Sequence, residues 1–174
     1  MNEKLLQLVQ ISLERRMMKT DVQFWAINAK VSDLFEGAFE DRKRQGEKEM
    51  SLYDTILHYI KRLNNPGFFS KLGNIKEAAF YEYALIDKST WSSIKYNTII
   101  PSKKTLLKLV IALRLNETEA KDLLRKGSNS FDLKDMRDQV ILALIDIKCY
   151  DITDVYEVLE EYRNKGPKKF DNIY

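Results

Sequence analysis

Apolar residues recur along this chain at intervals of three and four, the spacing of helices that each bury one face. In 2–18, Leu5, Leu8, Val9 and Leu13 follow that rule, while Leu6, Ile11 and Met17 widen the stripe beyond a single face. Such a helix is expected to be covered on two sides. Thr20, with Gln23 three residues on, reads as a capping box that opens a second helix with the stripe Phe24, Ile27, Val31, Leu34, Phe35 and Phe39. Together these predict an N-terminal helical hairpin over 1–45. The segment 40–49 has four acids and four bases, net zero, and reads as a solvated boundary.

A third helix is expected over 52–63, with Leu52, Ile56, Tyr59, Ile60 and Leu63 on one face, stopped by Asn64-Asn65-Pro66-Gly67. Further helices are predicted over 75–85, 88–95, 103–115, 117–125, 133–148 and 152–163, and no convincing strand is visible, so the fold class is all-α. Asp87, Ser102, Asn116 with Glu119, and Asp151 are the expected N-caps. Gly127, just past Arg125 and Lys126, is expected to take the left-handed conformation of a helix C-terminus. The end of the chain, Gly166-Pro167 with Lys168-Lys169, reads as a frayed tail. The pattern divides the chain into 1–45, 50–127 and 130–165.

Composition narrows the functional classes. With 44% hydrophobic and 32% charged residues in 174, the chain has a globular balance and can bury its own core. The apolar run 106–115 includes Lys108 and Arg114, so no membrane span is expected; Glu3 breaks the pattern of a secretory signal, and the expectation is a cytoplasmic protein. Cys149 is the only cysteine and His58 the only histidine. Nucleophilic dyads and the common transition-metal sites therefore lack their parts, and no cofactor or metal is expected. The carboxylates of the last helix, such as Glu157, Glu160 and Glu161, lie in a charge-balanced setting without an apolar pocket to tune them. A binding protein is expected, not an enzyme.

The stretch 77–115 is the informative one. Two helices are joined there by a very short turn, an arrangement that places the second helix outward. The expected buried set is Tyr81, Ala84, Ile86, Trp91 and Ile94, leaving Lys88, Ser89, Ser92, Ser93 and Lys95 facing out or sideways. Five lysines (88, 95, 103, 104 and 108) stand against one acid, Asp87, over 86–108, a net of plus four in a chain whose total is +3. Tyr96 and Asn97, just past the second helix, are placed for phosphate or sugar contact.

This stretch resembles the lambda-repressor-like (Xre/Cro-type) helix-turn-helix family. The resemblance rests on Ala84-Leu85-Ile86-Asp87-Lys88 at the turn, on Trp91 and Ile94, and on Pro101-Ser102-Lys103-Lys104-Thr105-Leu106 opening the next helix. It continues through 109–115 and 117–124 and covers roughly 52–126, a five-helix module; the part after Phe131-Asp132 resembles an extension seen in a bacterial subgroup. What the resemblance implies is a DNA-binding transcription regulator of bacterial or phage setting, binding double-stranded DNA as a homodimer. Lys88, Ser89 and Ser93 would then be base-facing and Lys104 would meet a phosphate, with Lys103 beside it. Tyr81 stands where the family keeps a small residue and Leu85 where it keeps glycine; Leu at positive φ is costly, which points to a different turn geometry. The outward face offers Ser and Lys but no Arg, Asn or Gln in its first turns, the side chains best suited to bidentate base readout. An alternative reading is a protein-interaction adaptor or inhibitor that uses the same scaffold without DNA and binds a protein partner through the N-terminal hairpin.

Overall fold

A computed structural model describes residues 3–23, 50–64, 76–165 and 170–174. Among the described residues every regular element is an α-helix: α1 (Glu3–Gln23), α2 (Leu52–Leu63), α3 (Glu77–Tyr83), α4 (Lys88–Lys95), α5 (Lys103–Ala112), α6 (Glu117–Lys126), α7 (Met136–Asp146) and α8 (Ile152–Lys165). The predicted stripe over 24–39, the charged run 40–49 and the stop at 65–67 lie outside the described residues.

Local chemistry sets the helix starts. Ser51, Asp87 and Ser102 each accept a hydrogen bond from the backbone N–H three residues on. Asn116 and Glu119 form a reciprocal capping box with both bonds at 3.0 Å, and Asp151 caps α8 through the N–H groups of Thr153 and Asp154. The expected start at Thr20 is different, because α1 runs unbroken through it to Gln23. A capping side chain needs a non-helical backbone, which Thr20 does not have there.

Five of the C-termini share one device. Leu85, Asn97, Arg114, Ser128 and Lys148 all have φ between 51° and 56°. In each, the residue after the left-handed one donates its N–H back to the carbonyl five residues earlier, as Ile86 does to Tyr81 at 2.8 Å and Leu115 to Val110 at 3.1 Å. None of the five is glycine. Gly127 is the C-cap of α6 at φ −87°, and Ser128 takes the left-handed position expected of it. Gly127 instead lies close against α5, where a Cβ would stand 2.5 Å from Leu106 Cδ1 and force that buried side chain to shift.

One continuous core runs from Val9 and Leu13 of α1 to Ile173. In α5, Leu106, Leu107, Leu109, Val110, Ile111 and Ala112 are all buried, as are Val140 through Ile145 in α7, so these stretches are enclosed on most sides while the first turn of α5, with Lys104, stays at the surface. α1 packs along α7, where Arg16 donates to both oxygens of Asp146 at 2.6 and 2.8 Å and also reaches Glu117 at the start of α6. The frayed tail read at 166–169 lies outside the described residues. Residues 170–174 are held down by the fully buried Ile173 and by Asn172, which donates to Glu160 at 2.9 Å. An isolated apolar residue has no period, so the pattern along the sequence could not reveal it.

α5 and α7 are joined by a buried charge. Asp138 is fully buried; its carboxylate pairs with Lys103 Nζ, accepts the Asp132 N–H at 2.7 Å and lies 3.6 Å from Arg137 Nε. Removing Asp138 leaves the half-buried Lys103 and the Asp132 N–H without their acceptor, and removing Lys103 leaves the fully buried carboxylate without its nearest cation. Asp138→Ala is therefore expected to destabilise the protein by about 3 to 5 kcal/mol in urea unfolding, and the double change Asp138→Leu with Lys103→Met to recover much of that loss. A loss under about 1 kcal/mol for the single change would show that the pair does not hold α5 to α7.

Candidate nucleic-acid interface

Four residues, 84–87, reverse the chain between α3 and α4. Leu85 occupies the left-handed position at φ 52°, with its N–H donated to Glu82 O at 3.0 Å. The expectation of a different geometry is not met: the turn keeps the left-handed residue and tolerates leucine there. Two features make that possible. The Leu85 side chain points to solvent, 52% exposed, and Lys108 Nζ donates to the Leu85 carbonyl at 2.6 Å. Ile86 then tucks into the core and Asp87 caps α4.

α4 buries only Trp91 and Ile94. Trp91 meets Tyr53 edge-on at 5.9 Å, Phe80 at 5.7 Å and Tyr81 in a stacked arrangement at 6.5 Å. Ala84 and Ile86 are buried as expected, but Tyr81 is only half-buried, with its hydroxyl on Glu82 at 3.1 Å. Its bulk is accommodated by letting the phenol lie at the rim over Trp91. Opposite Trp91 and Ile94, helical geometry places Ser89, Ser92, Ser93 and the C-cap Tyr96, with Lys88 and Lys95 on one flank. Lys88, Ser89 and Ser92 are exposed and Ser93 half-exposed. The Ser89 hydroxyl donates to Asp87 Oδ1 at 2.7 Å, so it must turn away from the cap before it can meet a ligand.

Beyond α4 the chain stays at the surface. Tyr96 is 70% exposed, and Asn97 takes the left-handed position, which its short polar side chain tolerates. Ile99 and Ile100 follow, exposed side by side, before Pro101 turns inward and Ser102 caps α5. The sequence reading passed over these isoleucines, although their place between two capped helices and before a proline was a usable signal.

The lysines divide into three kinds. Lys88 and Lys104 are exposed and have no ion-pair partner among the described residues. Lys103 is committed to Asp138, and the Lys108 ammonium to Leu85 O and the face of the Tyr174 ring at 5.5 Å. Burial pushes Lys108 below its ordinary value, Lys104 adds to the shift, and Asp87 opposes it. Lys95 sits 3.3 Å from Glu77, which also accepts from the Tyr53 hydroxyl. Asp87 stays ionised far below the usual carboxylate range because Thr90 and Ser89 donate to it. The structure places Lys88, Ser89, Ser92, Ser93 and Lys95 on α4, Tyr96 and Asn97 just past it, and Lys104 in the first turn of α5; the sequence did not show that Lys95, Lys103 and Lys108 are engaged internally.

Among the described residues, no group of three His, Cys, Asp or Glu side chains is placed to hold a metal ion, and no helix is long and apolar enough to cross a membrane. Compared with known proteins, the chain matches no protein-family model, no curated protein and no solved structure.

The strain at Leu85 can be measured. Glycine there relieves about 1 to 2 kcal/mol of left-handed strain and gives back roughly 0.5 to 1 kcal/mol through the greater freedom of the unfolded chain. Leu85→Gly is expected to raise stability by about 0.5 to 1 kcal/mol in chemical denaturation, with little packing lost from so exposed a side chain. A clear loss of stability would mean that Leu85 makes contacts worth more than its strain.

Proposed function

We propose that this chain is a DNA-binding regulator of the lambda-repressor-like helix-turn-helix type, with α2 to α6 as its five-helix module and α4 as the helix that enters the major groove. The observation that carries this reading is the division of α4 itself. Its inner side is fixed by Trp91 and Ile94, while its outer side carries serines, with Lys88 exposed on its flank and Lys104 exposed in the first turn of α5. Lys88, Ser89, Ser92 and Ser93 face base edges, and Lys104, in the first turn of α5, meets a phosphate together with the backbone N–H groups of that turn. Tyr96 and Asn97 flank the sugar-phosphate chain. A hydroxyl face discriminates weakly, so selectivity draws on DNA shape and on a second module, which a homodimer supplies.

Catalysis has little to work with. Burial pushes the Cys149 thiol up to about 11, so the one cysteine is a poor nucleophile, and we propose a cytoplasmic binding role with no cofactor. A second reading, the protein-interaction adaptor, draws on α1, where Leu8, Ile11, Met17 and Met18 are exposed apolar residues.

Salt dependence separates the two. On duplex DNA each neutralised phosphate contributes about 0.9 to the slope of log K against log salt. Lys104→Ala is expected to weaken binding about equally for all sequences and to make the slope shallower by roughly one, whereas changes at Ser89 or Ser93 alter the preference among sites. Absence of duplex binding by the wild type at low salt overturns the regulator reading in favour of the adaptor.

A further inference from the structure

We propose that Glu77 is an anionic restraint on the duplex-facing surface, holding Lys95 in an ion pair and so limiting sequence-independent affinity for DNA. The inference rests on the DNA-binding reading and adds to it a residue that sets how tightly any duplex is held.

Glu77 opens α3, and Lys95 closes α4 at the end where Tyr96 and Asn97 begin. The Lys95 ammonium lies 3.3 Å from Glu77 Oε1 and 5.8 Å from the centre of the Tyr53 ring. Glu77 is itself anchored, because the Tyr53 hydroxyl donates to the same oxygen and the Tyr53 ring is wedged edge-on against Trp91. The Tyr53 hydrogen bond, and then Lys95, keep the Glu77 carboxyl below its ordinary range, although partial burial opposes them. The carboxylate is therefore a fixed negative charge and the ammonium the mobile partner.

The two paired lysines of this region then have different fates. Lys103 faces a fully buried carboxylate and cannot leave without stranding a charge. Lys95 and Glu77 are each about 40% exposed, at 42% and 40%, so their pair is weak and can open to solvent. When a phosphate approaches, Lys95 can swing towards it, but Glu77 stays behind on Tyr53 and faces a polyanion alone. Each phosphate contact won by Lys95 is offset by that repulsion, whatever the base sequence.

The test is a charge-removal cycle read through salt dependence on a random-sequence duplex. Glu77→Gln keeps the length of the side chain and an acceptor for Tyr53, so its melting temperature should stay close to that of the wild type. It is expected to bind about threefold or more tightly at low salt, with a slope steeper by about 0.9. Lys95→Gln should barely alter the slope in the wild-type background and should lower it by about 0.9 in the Glu77→Gln background. Equal effects of Lys95→Gln in both backgrounds, or an unchanged slope for Glu77→Gln, would overturn the restraint while leaving DNA binding intact. If Glu77→Gln does not fold, Glu77→Ala takes its place in the same cycle, with the same results expected and the same results overturning the restraint. No duplex binding by either the wild type or the variants overturns this inference and the reading beneath it together.

Discussion

Helix α4 is only eight residues long and mostly polar, so where it sits depends on how Trp91 is held. A helix this short is not stable by itself, since roughly 12 to 15 residues are needed before propagation outweighs nucleation. The serines and threonine of α4 add nothing to its intrinsic propensity. What fixes it is a ring of aromatics, Tyr53 from α2 and Phe80 and Tyr81 from α3, closing on one indole. Such pairs are worth about 0.5 to 1.5 kcal/mol each beyond the area they bury, enough together to orient a two-turn helix. The outer face of α4 is free to be polar because the inner face is anchored so firmly.

The same dependence organises the charges. The Tyr53 ring that supports Trp91 carries the hydroxyl that fixes Glu77, and Glu77 in turn holds Lys95. On the other side of the module, Lys108 braces the strained carbonyl of Leu85 and Lys103 ties α5 to α7. Five lysines that look alike along the chain thus divide, among the described residues, into two braces, one restrained cation and two, Lys88 and Lys104, that have no ion-pair partner there.

The regular elements were legible in the sequence because helices announce themselves by period and cap. The bounds of α2 and α4 agree with the spacing of Ile56, Tyr59 and Ile60 and of Trp91 and Ile94, and Asp87, Ser102, Asn116 and Asp151 cap the helices they were expected to cap. Pairings between distant segments were not legible. Nothing local marks Asp138 as the partner of Lys103, 35 positions away, or Glu77 as the partner of Lys95, because an ion pair imposes no period on either segment. The left-handed leucine was misread for a related reason: propensity gives the strain at Leu85 but not the Lys108 bond that compensates it. Tyr81 and Ile173 show the limit from the apolar side, one less buried than its stripe implied and one wholly buried without any stripe.

The central claim is that the face formed by α4 and the start of α5 is where this protein meets duplex DNA. Titration of the isotope-labelled protein with a duplex at low salt, followed by amide chemical shifts, tests it most directly. The account predicts shifts concentrated at 88–97 and 102–105, with α1 unaffected. Shifts confined to α1, or none anywhere, would contradict it.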